Sequence, residues 1–204
     1  TSVLKFFDTI YVPISSAEYY FNDKNYEEAT KLYNLCKSKV KLQANIENIE
    51  NIDNLQNKKE VCTIKFDSKI TNISSKNSIS PFEGCTLLEE IVISQSATTI
   101  GKYIFCNCSS ITKMIIPSSV TAINECALMH CSSLKEISFV SPSSLTTIGD
   151  YAFAGCSSLI QIAIPKAVTC IGKWAFYQCE SLEHVQLEPY SLLSIEEGTF
   201  CECK

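Results

Sequence analysis

The sequence has no arginine. All 17 of its basic side chains are lysine, against 22 acidic ones, for a formal net charge of −5. Arginine is the side chain that forks onto phosphate oxygens and base edges, so its absence and the acidic total argue against nucleic acid as a partner. No run of about 18 apolar residues occurs, so no segment reads as a membrane-spanning helix. The opening, TSVLKFFDTIYVPI, has neither a basic n-region nor a long apolar h-region and does not read as a secretory signal. An initiator methionine is also missing, as expected of a processed product or an excised piece. Histidine is scarce, with only His130 and His184. A cysteine nucleophile needs a nearby base, usually histidine, so enzyme chemistry has little to draw on.

What is present is apolar residues and cysteine. The 204 residues are 46% hydrophobic and 19% charged, enough apolar side chains for a large core. There are 12 cysteines, and six fall on a repeat: Cys85, Cys108, Cys131, Cys156, Cys179 and Cys203, at steps of 23, 23, 25, 23 and 24 residues. Three residues before each stand Phe82, Phe105, Leu128, Phe153, Phe176 and Phe200. Three residues after the first five stand Leu88, Ile111, Leu134, Leu159 and Leu182. An apolar pair two apart then follows, as in Ile91/Ile93, Met114/Ile116 and Ile162/Ile164, with an earlier strand at Val61, Ile64 and Phe66.

A fixed period of 20 to 30 residues is the mark of a solenoid of stacked coils. The pair with one residue between has period two and β-branched side chains, so it reads as a strand. Ile148, Ala152, Phe153 and Cys156 are spaced as a short helical turn facing the same core. IPSSV and IPKAV put proline and serine at the bend between the two, and the two extra residues of FVSPSSLTTI fall in that bend. The expected fold is therefore a solenoid of about six coils over residues 60–204, the last incomplete. Its parallel sheet lies on one face and short helical turns on the other.

The consensus IGxxAFxxCSSLxxIxIPxxVTxIG resembles the BspA-like leucine-rich repeat, over about residues 60 to 203. Three departures stand out: Asn77 in the first isoleucine slot, Leu128 in place of phenylalanine, and INECALMHC without the glycine of IGKYIFCNC. The resemblance implies a curved leucine-rich-repeat solenoid that binds other proteins, often at microbial cell surfaces.

Residues 1–59 lack the repeat. SSAEYYFNDKNYEEATKLYNLCKSK has a turn, NDKN, between two helical patterns with small residues at Ala17 and Ala29 and aromatics at Tyr20 and Tyr33. It is similar to a single tetratricopeptide-type hairpin near residues 13–40. The expected role is an α-helical cap over the first coil, because a solenoid end exposes apolar surface. NIENIENIDNL reads as a helix leading into Val61, or as a degenerate half-coil with Leu55 in the phenylalanine slot.

Each chemical reading has a packing alternative. The ladder of Phe82, Cys85, Phe105, Cys108, Leu128, Cys131, Phe153, Cys156, Phe176, Cys179, Phe200 and Cys203 reads as structural core, since a buried cysteine behaves as a small hydrophobe. Disulfides and metal are the alternatives. Cys106-x-Cys108, Cys201-x-Cys203 and the cluster Cys126, His130, Cys131 have ligand-like spacing, yet no second such group stands at zinc spacing. No catalytic residue, cofactor or metal is expected. The pairs Ser109-Ser110, Ser132-Ser133 and Ser157-Ser158 read as hydroxyls satisfying backbone groups where turn becomes strand.

What remains is surface. Alternation turns Glu90, Val92, Lys113, Ile115, Glu136, Ser138, Gln161, Ala163, His184 and Gln186 out of the sheet. Along the slot between the paired core residues the order is Lys65, Val92, Ile115, Ser138, Ala163, Gln186, with apolar residues toward the middle and polar ones at the ends. That is how a protein-binding patch is built, although β-propensity on a solvated strand gives the same residues. The expected function is a non-catalytic protein-binding, or adhesive, module. The alternative is a structural component of a larger assembly docked through the amino-terminal helices. The chain stops just after Cys203, before the next strand, so end-to-end self-association or continuation of the solenoid is expected. Many reduced thiols favour a cytoplasmic setting, whereas the family resemblance favours the cell surface.

Overall fold

Each repeat contributes two strands, where the period-two signal marks only one. The computed structural model describes residues 61–74, 82–187 and 194–204, together with the strands at 10–14, 17–19 and 42–46. The strands are β1 (Ile10–Ile14), β2 (Ala17–Tyr19), β3 (Leu42–Ile46), β4 (Val61–Phe66), β5 (Asn72–Ile73), β6 (Glu90–Val92), β7 (Thr99–Ile100) and β8 (Lys113–Ile116). They continue with β9 (Ala122–Ile123), β10 (Glu136–Phe139), β11 (Thr147–Ile148), β12 (Gln161–Ile164), β13 (Cys170–Ile171), β14 (His184–Leu187) and β15 (Ser194–Ile195).

The longer strands, β4, β6, β8, β10, β12 and β14, form one face. They pair in parallel as β4–β6, β8–β10 and β12–β14, with Ile64 opposite Ile91, Met114 opposite Ile137 and Ile162 opposite Val185. The second face is a continuous six-stranded parallel sheet of two-residue strands, β5 to β15 in chain order. This corrects the expectation of a single parallel sheet. A two-residue strand is too short to show a period. Its side chains still bind coil to coil: Thr98, Thr121, Thr146 and Thr169 each donate Oγ1 to a backbone oxygen of the preceding coil, that of Thr71, Thr98, Thr121 and Thr146 in turn, at 2.9 to 3.3 Å.

The third side corrects a second expectation. No described residue is helical; the segments before each ladder cysteine are successive hydrogen-bonded turns. Two residues per coil take the left-handed backbone, five and one before the cysteine. Tyr103 and Asn107, Cys126 and His130, and Trp174 and Gln178 all have φ between 54° and 59°. These reversals point alternate amides out of the coil. Tyr103, Phe105 and Asn107 donate to Glu125, Ala127 and Met129 of the next coil at 3.1, 2.9 and 2.8 Å. A helix would have closed those bonds along its own axis. The apolar spacing of a helical turn and of this turn is the same, so periodicity does not separate them. Glycine fills the second left-handed slot at Gly155, where φ is +71° and a Cβ would lie 2.3 Å from His130 Nδ1.

The described residues within 1–59 are strands, which corrects the helical cap there. β3 runs parallel to β4 as one more rung, Ile46 opposite Phe66. β1 and β2 continue the same sheet as an antiparallel hairpin. Pairing with β4 satisfies a sheet edge that a helix would leave open. Residues 20–41, which hold most of the tetratricopeptide-like pattern, and 47–60 lie outside the described residues.

Inside the coils the ladder is buried from Phe82 to Cys179, and Phe200 and Cys203 at its end are half-buried. Phe82, Phe105, Leu128, Phe153 and Phe176 are each at most 1% exposed. Phe153, Phe176 and Phe200 stack at centroid spacings of 5.2 and 5.3 Å with rings within 9° of parallel. Phe82 and Phe105 stack at 5.9 Å, and Leu128 stands between the two stacks. The two inserted residues loop outward at Ser141–Pro142, and Leu145 is buried as Val120 and Val168 are. Phe153→Ala should cost about 3 to 5 kcal/mol, because a cavity opens in a closed stack. Lys166→Ala, on an exposed bend, should cost less than about 0.5 kcal/mol. Urea titration of both variants checks this; equal costs would overturn the assignment of inside and outside.

Candidate functional site

Two features repeat along the solenoid and carry chemistry: the strand face outside and the cysteine ladder within. On the face, the strands set Glu90, Val92, Lys113, Ile115, Glu136, Gln161, Ala163, His184 and Gln186 in solvent, with Ser138 half-buried. Parallel register brings them into two columns, Glu90-Lys113-Glu136-Gln161-His184 and Lys65-Val92-Ile115-Ser138-Ala163-Gln186. Val92 is 41% exposed, Ile115 50% and Ile160, beside Gln161, 49%. Lys113 Nζ pairs with Glu136 at 2.8 Å and Glu183 with Lys204 at 2.5 Å. Lys113 and Glu136 are thus matched within the face, and the aliphatic side chains stand clear.

The ladder cysteines are more than packing. Cys108 Sγ donates to the Phe82 carbonyl oxygen at 3.1 Å, Cys131 to Phe105 at 3.2 Å and Cys156 to Leu128 at 3.4 Å. Cys179 donates to Phe153 at 3.2 Å and Cys203 to Phe176 at 3.1 Å. Each of those carbonyls also accepts an amide of its own coil, as Phe82 does from Cys85 at 3.2 Å. The thiol therefore fills the second lone pair of a buried carbonyl and ties each coil to the one before.

That role requires the proton to stay on sulfur. Contact with the Cys85 side chain and then burial push the Cys108 thiol far up. Burial does the same for Cys131 and Cys156 and lifts Cys179 to about 12. Cys106, also buried, is lifted to about 11 by burial first and then by Glu83. None of these is a thiolate nucleophile at neutral pH. His130 is exposed, while Cys126 and Cys131 are buried. Among the described residues no three His, Cys, Asp or Glu side chains converge to hold a metal. Of the serine pairs, Ser110 donates to the Thr86 oxygen at 2.5 Å and Ser157 to that of Ser132 at 3.4 Å.

Sequence reasoning passed over an aromatic strip on the turn side. Tyr151 stacks on Trp174 at 6.4 Å, and Tyr177 meets Trp174 edge-on at 5.3 Å. The signal was legible, since Tyr103, Tyr151 and Trp174 all stand five residues before a ladder cysteine. Their left-handed backbone was not, because such residues are usually glycine or asparagine.

The raised thiols make stability fall in alkali. A thiol that titrates near 8.5 when unfolded and far higher when folded contributes its full stabilisation below about pH 8.5 and loses it as pH rises, by roughly 1.4 kcal/mol per thiol per pH unit. With Cys108, Cys131, Cys156 and Cys179 acting together, the urea midpoint should drop steeply between about pH 9 and 10. A midpoint flat across that range would show that these thiols ionise as easily folded as unfolded.

The repeat matches known proteins. The BspA type leucine rich repeat region matches residues 55–141 and 138–204, with six copies. A crystal structure of a T. pallidum leucine-rich repeat protein is 26% identical with a TM-score of 0.58, over 72% of this chain and 63% of that one. A Bacteroides ovatus leucine-rich repeat protein is 28% identical with a TM-score of 0.48, over 66% and 39%. A leucine rich cell surface protein of Faecalibacterium prausnitzii is 25% identical with a TM-score of 0.48, over 70% and 42%. This chain thus spans less than two thirds of the length of each of the three. A search among curated proteins gave no match. This match over residues 55–204, with the repeat period and ladder residues in register, makes this chain a member of the BspA-type leucine-rich repeat family.

Proposed function

We propose that the chain is a non-catalytic protein-binding module that engages its ligand through the strand face. The observation that carries this reading is the run of exposed aliphatic residues, Val92, Ile115, Ala163 and Ile160, on a parallel face where Lys113 pairs with Glu136. A rigid surface loses little conformational entropy on binding, and an apolar centre gains by leaving water. Membership in a leucine-rich-repeat family supports a role in contact between proteins, adhesion included. No described helix is long and apolar enough to cross a membrane.

Ile115→Lys places a charge at the centre of the face without touching the core. Immobilised wild-type chain should retain a protein ligand that the variant does not, with circular dichroism unchanged between the two. Equal retention by both would remove the strand face from the reading. A second contact is proposed at the last described coil, where Leu187 and Ile195 are 41% and 49% exposed. A further coil or a second copy would cover them. Light scattering on the 204-residue chain should show association that grows with concentration; a concentration-independent monomer counts against the second copy.

A further inference from the structure

The ladder places six thiols in one line, one per coil, and the five from Cys108 onward each aim at the coil before. Strands in a parallel stack lie about 4.8 Å apart, inside the 4.4–6.8 Å range of Cα separations that a disulfide spans. Each donor sulfur reaches the turn that carries the preceding ladder cysteine. Cys108 Sγ sits 3.1 Å from the Phe82 oxygen, and the Cys85 amide sits 3.2 Å from that same oxygen. The geometry repeats at Cys131, Cys156, Cys179 and Cys203. The Cys108 thiol is also in hydrogen-bond contact with the Cys85 side chain. All eleven described cysteines are unlinked thiols in this structure.

We propose that the ladder is a redox-sensitive element, in which a low-molecular-weight disulfide converts neighbouring thiols to inter-coil disulfides: Cys85 with Cys108, Cys131 with Cys156, and Cys179 with Cys203. The pairing follows from order. Six sites in a line, bonding only to adjacent sites, can all be paired in one way. Every other ladder pairing among neighbours leaves at least two thiols over. The cysteines outside the line, such as the exposed Cys201, have no part in it.

The chemistry balances by two exchanges. One ladder thiol gives up its proton, and its thiolate attacks a sulfur of R–S–S–R. R–S⁻ leaves and is protonated. The adjacent ladder thiolate then attacks the protein sulfur of that mixed disulfide, and the second R–S⁻ leaves. Two protein thiols are oxidised, one small disulfide is reduced to two small thiols, and the protein loses two hydrogens per link.

Two features make this a switch, not a permanent staple. The ladder from Cys85 to Cys179 is fully buried, and burial raises the pKa of Cys131, Cys156 and Cys179, so exchange waits on opening of a coil. Parallel side-chain vectors also leave Cβ atoms about as far apart as the strands, beyond the 3.5–4.5 Å of a relaxed disulfide. The turns must close on one another, and a link so made is strained and readily reduced. Oxidation further removes the S–H donor from the carbonyl it satisfies.

The test is oxidised glutathione on the reduced 204-residue chain at pH 8, with and without urea below the unfolding midpoint, followed by peptide mapping. Without urea, Cys201 should become glutathionylated while the buried ladder cysteines, Cys85 to Cys179, react at least about a hundredfold more slowly. With urea, the three named links should form, and reduced glutathione should reverse them. Cys85→Ser should leave two ladder links and one ladder thiol. Links that skip a coil, ladder cysteines carrying glutathione without linking, or a ladder that reacts as fast as Cys201 in the native chain would each overturn the proposal.

Discussion

A carbonyl oxygen buried between coils has two lone pairs and no water, and the solenoid depends on filling both. At Phe82, Phe105, Leu128, Phe153 and Phe176, one lone pair takes an amide from its own turn and the other takes the thiol of the next coil. Main-chain bonds on the same side run on to the next coil through alternate amides. The threonine hydroxyls do the same for the second sheet. Unsatisfied polar groups in an apolar interior cost about as much as a whole hydrogen bond contributes, so no coil closes its own account and each is completed by its neighbours.

This explains why the ladder position is cysteine. Alanine would leave a lone pair unfilled, and leucine would overfill the space under the phenylalanine stack. Serine would supply a stronger donor at the cost of reach and apolar volume. Cysteine is apolar enough to pack and has one weak donor on a long bond. The same fit makes the thiols unreactive, since burial and the donated proton both oppose the thiolate. Chemistry that needs a reactive sulfur therefore lies outside the native ladder.

The face itself follows from the core. Because β-strand side chains alternate, fixing Ile91, Met114, Ile137 and Ile162 inward forces Val92, Ile115, Ser138 and Ala163 outward. Parallel register then lines the outward residues into columns with no further information. Lys113 meets Glu136 because they occupy the same slot of adjacent coils. Surface composition is free to vary from coil to coil while the frame beneath repeats, which is how one architecture comes to hold different ligands.

By itself the sequence determined the period, the coil count, the buried ladder and which strand residues face out. All of these depend on spacing along the chain, and a repeat displays spacing many times over. It did not reveal the left-handed turns, because Tyr103, Cys126 and Trp174 are not residues that favour positive φ. Nor did it reveal the two-residue strands, which are too short to carry a period. Nor did it reveal the strand at Leu42–Ile46, which forms by pairing with Val61–Phe66. The second role of the cysteines, as donors to the preceding coil, appears only when two coils stand side by side. Tertiary structure decided each of these features for one reason: the bond partner lies one coil away, and a pattern within one repeat says nothing about what its neighbour leaves unsatisfied.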